Sequence, residues 1–219
     1  MWDDISPAFL LRPDWVRSSR RNPVPAVLAL FGIGLVGAWV LGVLQVQIID
    51  LLNFESRLDA ELDDLSALQQ VIFVAVLAPL IEELAYRLPL MRRLVMPLLM
   101  LSFVIIGLVY WIPALLGVLF LAVIAATQPL RESFAAWWER NPRWPIYASM
   151  ATFGMLHMVN FDAAWTPLAI VLAPLVVGPQ LWLGLMFTIG RVRFGWWTGV
   201  ALHALHNFVV WALVFAILE

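Results

Sequence analysis

No side chain between Val24 and Ile49 carries a charge. One helix needs roughly 20 apolar residues to cross a bilayer, and this run is long enough. Comparable runs recur, so spans are expected at about 24–49, 68–91, 94–111, 114–127, 146–162, 165–190 and 195–217. In hydrocarbon every backbone N–H and C=O must be satisfied by the protein itself, which makes such runs helices. The expected fold class is therefore all-α, a polytopic transmembrane helix bundle of about seven spans. Hydrophobic residues are 63% of the 219, against about 45–50% in soluble domains. The absence of cysteine excludes disulfides, thiol catalysis and thiolate metal sites. A net charge of −2 gives no electrostatic basis for binding nucleic acid.

Two units are expected: a cytoplasmic or interfacial N-terminal segment, 1–23, and a single transmembrane domain, 24–219. The first apolar run is long enough to span and lacks a small-residue cleavage pattern, so no cleavable leader is expected. All 13 basic residues are arginine, and their placement orients the chain. With the N-terminus in the cytoplasm, Arg12, Arg17, Arg20, Arg21, Arg92, Arg93, Arg191, Arg193 and the 128–145 connection all lie inside. The acidic stretch 50–66 then lies outside, and only Arg57 breaks the bias. Trp137, Trp138 and Trp144 suit a helix lying at the headgroups. Pro167, Pro174 and Pro179 are placed to break or kink the stretch 165–190.

A charge at the centre of a membrane helix costs about 2.5–3.5 kcal/mol and is kept mainly where it pairs or functions. The ionisable residues within the expected spans are Glu82, Glu83, Arg87, His157, His203 and His206. Glu82 precedes Arg92 by ten residues (92 − 82), and His203 follows Arg193 by ten (203 − 193). Each therefore lies about 15 Å from the same edge. His157 and Asn207 each lie fourteen residues from an edge arginine (157 − 143, 207 − 193), or about 21 Å. Three helices distant in sequence thus place polar groups in one slab. Glu83 and Arg87 are spaced i,i+4 and can pair. His203 and Asn207 share a face, and Phe153 seats an aromatic ring beside His157. Pro79 is placed to open the helix just before the carboxylates.

This set permits amide hydrolysis. Glu82 with His157 can hold and deprotonate a water. His203 and Asn207 can donate hydrogen bonds to an oxyanion, while Glu83 and Arg87 orient the helix. The same residues carry a resemblance. Glu82-Glu83-Leu-Ala-Tyr86-Arg87, Phe153-Gly-Met-Leu-His157 and His203-Ala-Leu-His206-Asn207 resemble the Glu-Glu-x-x-x-Arg, Phe-x-x-x-His and His-x-x-x-Asn motifs of the CPBP family (CAAX protease and bacteriocin-processing, also called Abi). The resemblance covers roughly 68–210. It implies a glutamate-dependent intramembrane endopeptidase similar to the Ras-converting CAAX protease. Glu82 and His157 would activate water, and His203 and Asn207 would form the oxyanion hole. Members of that family often have eight spans, one more than the hydropathy here gives.

Other readings stay open. Glu83 and Arg87 also fit a purely structural ion pair, and His203 with Asn207 fits interhelical hydrogen-bond glue. His206 has no assigned role. No cofactor is expected, with zinc on Glu82, His157 and His203 as the alternative. Competing functions are a proton-coupled transporter and a non-catalytic Abi-type immunity or scaffold protein. The expected partners are the lipid bilayer and a membrane-associated or hydrophobic peptide. The expected location is a bacterial inner membrane, with the site opening toward the cytoplasm.

Overall fold

The computed structural model describes residues 23–57, 62–87, 123–124, 126–141, 143–162 and 164–218. In chain order these form α1 (Val24–Leu52), β1 (Glu55–Ser56), α2 (Ala67–Ile72), a π-helical turn (Phe73–Leu77), α3 (Ala78–Tyr86), α4 (Gln128–Arg140) and α5 (Arg143–Leu156). A 3-10 turn (His157–Asn160), β2 (Phe161–Asp162), α6 (Pro167–Val176), α7 (Gly178–Phe194) and α8 (Trp196–Leu218) complete them. The described chain is mostly helical. The expected span at 94–111, most of that at 114–127, segment 1–22, Arg92 and Arg93 lie outside the described residues.

Among the described residues three helices are long and apolar enough to cross a membrane: Val24–Leu52, Ala67–Tyr86 and Trp196–Ala216. A fourth arises if α6 and α7, bent by 41° at their junction, count as one span. That bend lies in the stretch where three prolines break the apolar run. The expected span 146–162 differs. Its helix α5 has 14 residues, about 21 Å of rise, and tightens into the 3-10 turn at His157. Polar Asn160 and Asp162 follow, and β2 leaves to pair antiparallel with β1, Glu55 opposite Asp162 and Ser56 opposite Phe161. This two-residue ladder is the one departure from an all-helical chain among the described residues.

Local chemistry explains the helix ends and breaks. Asn53 closes α1 in the left-handed conformation (φ 52°, ψ 46°), its N–H and that of Phe54 reaching back to Asp50 and Ile49. Pro79 has no N–H to offer the turn before it. That turn widens to π geometry, with the Ala78 N–H bonding the Phe73 carbonyl five residues back. Pro179 likewise stops α6 from running on into α7. The Val176 carbonyl at the end of α6 accepts a hydrogen bond from the Gln45 side chain of α1, 2.7 Å.

Helix α7 is the central element, packed on α1, α5 and α8. Small residues set the close crossings, as expected where no hydrophobic drive separates helix from lipid. Gly34 faces Met186, Gly37 faces Trp182, Gly154 faces Leu181 and Gly190 faces Leu202. The Trp182 indole N–H donates to the Ile33 carbonyl, 3.2 Å. The buried core between α1 and α7 includes Leu30, Met186, Phe187 and Ile189. A second apolar cluster joins Ile48 and Phe54 to Ala169, Val176 and Val177. The outward side of α1 is apolar too: Val36 and Val40 are 65% and 67% exposed.

Candidate active site

Helix α3 presents two adjacent carboxylates to α8, and one imidazole lies between them. His203 Nδ1 is 3.1 Å from Glu83 Oε1, and its Nε2 is 3.3 Å from Glu82 Oε2. Glu83 Oε1 also accepts from Arg87 Nη1 at 2.8 Å, the i,i+4 pair that the spacing predicts. The two glutamates differ in access. Glu83 is 1% exposed and the Glu82 side chain 27%.

Aromatic rings wall the charges. Phe187 stacks on His203 with centroids 4.4 Å apart. Phe153, from α5, stands edge-on to His203 at 5.7 Å and to His157 at 4.8 Å. The Arg87 guanidinium carbon lies 4.0 Å from the Phe153 centroid and 5.6 Å from that of Phe187. Both approaches are favourable to a cation. They compensate for Nε and Nη2 of Arg87, which lack hydrogen-bond acceptors among the described residues.

His157 sits at the first residue of the 3-10 turn rather than within a long span. Its Nδ1 bonds the Phe153 carbonyl at 2.8 Å. A carbonyl only accepts, so Nδ1 carries the hydrogen and Nε2 of the neutral ring keeps its lone pair. No ion pair within 4.0 Å joins His157 to Glu82. The ring reaches the cluster through Phe153 and lies within electrostatic range of Glu82 and His203. Asn207 lies one turn beyond His203, and its Nδ2 donates to the Val74 carbonyl at 3.0 Å. His206 is buried beside Phe187, 6.1 Å between centroids, and its Nδ1 has no partner among the described residues. It borders a small apolar void between α1, α7 and α8, lined also by Leu30, Met186 and Leu202, which is separate from the carboxylates.

The zinc alternative fits poorly. His203 faces a carboxylate oxygen with each ring nitrogen, whereas His157 turns Nδ1 to the Phe153 carbonyl. Among the described residues no group of three His, Asp or Glu side chains is arranged to hold a metal ion.

Several residues of the site carry no signal in the sequence. Phe187 is one apolar residue among many in its run. Gly199 leaves room for Glu83: a Cβ there would lie 3.2 Å from Glu83 Oε2 and from Arg191 Cβ. Gly184 leaves room for Phe153, whose Cδ1 would lie 2.9 Å from such a Cβ. Ser149 ties α5 to the end of α3 by donating to the Tyr86 carbonyl, 2.6 Å. Arg191 places a second cation within electrostatic range of Glu83. Compared with protein-family models, curated proteins and solved structures, the chain matches none.

Proposed function

We propose that the chain is an intramembrane endopeptidase of the glutamate-dependent CAAX type, acting on a membrane-associated or hydrophobic peptide. The observation that carries this reading is the His203 imidazole held between Glu82 and Glu83, with Glu82 alone of the two partly open. A buried structural ion pair accounts for Glu83 and Arg87. It does not account for a second carboxylate on the same turn beside an imidazole.

In the proposed reaction a water sits between Glu82 and Nε2 of His157. Glu82 takes one proton, and the oxygen attacks the substrate carbonyl carbon. His203 donates Nε2–H to the oxyanion, for which its 3.3 Å separation from Glu82 leaves it available. Asn207 has one N–H left for the same purpose after its bond to Val74. Glu82 then passes its proton to the leaving nitrogen as the C–N bond breaks, leaving a carboxylic acid and an amine. Glu83 and Arg87 hold the helix, and Phe153 and Phe187 keep bulk water from the charges.

The proposed setting is a bacterial inner membrane with the N-terminus and the site facing the cytoplasm, about seven spans in all. The test compares the proteomes of cells carrying the native chain and Glu82→Ala. Cleavage products should vanish with Glu82→Ala while its abundance and melting temperature in detergent hold. Products that persist in Glu82→Ala cells would end this reading.

A further inference from the structure

The π turn before the carboxylates leaves a debt that one side chain settles. In that turn the backbone bonds reach five residues, as Ala78 N–H to Phe73 O demonstrates. The donor due to the Val74 carbonyl in the same register is residue 79, and Pro79 has no N–H. Within an apolar environment no water can replace it. Asn207 of α8 supplies the missing hydrogen, Nδ2 to Val74 O at 3.0 Å.

The consequence reaches the carboxylates. Adding one residue to a helical turn rotates everything after it by about 100° relative to an unbroken α-helix. The widened turn at Phe73–Leu77 therefore decides which edge of α3 faces α8. With the turn in place that edge carries Glu82 and Glu83, both on His203. His203 and Asn207 are one helical turn apart on α8, so α8 grips the partner helix at two points, at Val74 within the widened turn and at Glu82 and Glu83 beyond it.

We infer that Asn207 is a positioning residue: its amide takes the carbonyl that Pro79 orphans, and so holds the turn that aims Glu82 and Glu83 at His203. This role stands beside the proposed donation to an oxyanion, since the amide has two N–H groups and the bond to Val74 uses one. The inference concerns the site of the hydrolytic reading but does not need a substrate to be tested.

The experiment is a cycle on the full chain in lipid nanodiscs: native, Asn207→Ala, Pro79→Ala and the double variant. The chain has three histidines, so 15N-histidine labelling resolves their ring nitrogens, with His203 assigned by its loss in His203→Gln. Asn207→Ala should lower the melting temperature by roughly 2–8 °C and move the His203 ring resonances. In the Pro79→Ala background, where residue 79 regains an N–H, at least half of both effects should disappear. Equal losses in the two backgrounds, or His203 resonances indifferent to Asn207→Ala, would overturn the inference. Should Pro79→Ala fail to fold, Asn207→Asp against Asn207→Leu decides. Asp sets an acceptor against the Val74 carbonyl and should melt lower than Leu, whereas equal melting would overturn the inference. Because neither readout involves cleavage, a failure here is distinct from persistence of products in Glu82→Ala cells.

Discussion

Arg87 is the largest fully buried side chain with a charge, and its worth is set by what it leaves behind. Removing one member of a buried pair strands the other, at about 3–5 kcal/mol, whereas replacing both by neutral groups of similar shape costs far less. Arg87→Met should therefore melt far below the native chain in detergent. The double variant Arg87→Met, Glu83→Gln should recover most of that loss; additive losses would contradict the pairing. Glycines give a second test. Ala at Gly184 or Gly199 would press on Phe153 or on Glu83 and Arg191, and overpacking of this kind costs about 1–3 kcal/mol. Ala at Gly32 or Gly42 meets nothing within 4 Å and should stay within about 1 kcal/mol of native. Melting temperatures of the four variants separate the two classes. At this scale the sequence announces residues that are costly to bury, so Glu82, Glu83, Arg87 and His203 stand out before any coordinates. It is silent on residues whose contribution is absence. A glycine that makes room for a carboxylate reads the same as one facing lipid.

At the scale of elements, apolar length was enough to find α1 and α8, and proline spacing was enough to foresee the break between α6 and α7. The fate of 146–162 was not legible, because the helix ends for a reason outside itself. Its last residues, Phe161 and Asp162, pair with Glu55 and Ser56, a contact across more than a hundred residues that no local pattern encodes. The widened turn before α3 was half legible. Pro79 announces trouble in the helix, but the side chain that resolves it comes from α8. The helix crossings are testable through Gly37, where a Cβ would collide with the Trp182 indole. Gly37→Ala should force α1 and α7 apart and cost more than Trp182→Phe, which removes the hydrogen bond to Ile33, about 1 kcal/mol. By contrast, Arg57→Ala should shift stability by no more than about 1 kcal/mol. Its 2.8 Å pair with Asp162 joins side chains 57% and 66% exposed, and such pairs contribute little.

For the whole molecule, the natural lack of cysteine makes orientation directly measurable. Single cysteines at Ser56 and at Trp137 should label from opposite sides of intact spheroplasts with an impermeant maleimide, Ser56→Cys from outside. Labelling of both from one side would refute the proposed topology. Metal dependence is read on the same preparations, where the cleavage products lost in Glu82→Ala should be unaffected by chelator. Helix α1 has a further bearing on the assembled protein. Its 29 residues amount to about 44 Å of rise, against a hydrocarbon slab of about 30 Å. Such a rod either carries its ends into the headgroups or leans, and the lean follows lipid chain length. α1 grips α7 through Gly34 and Gly37 and the end of α6 through Gln45, and α7 lays Phe187 flat on His203. Contacts thus run without a break from α1 to the imidazole at the heart of the charge cluster, and a change of acyl-chain length that alters the lean of α1 is expected to move the His203 ring resonances.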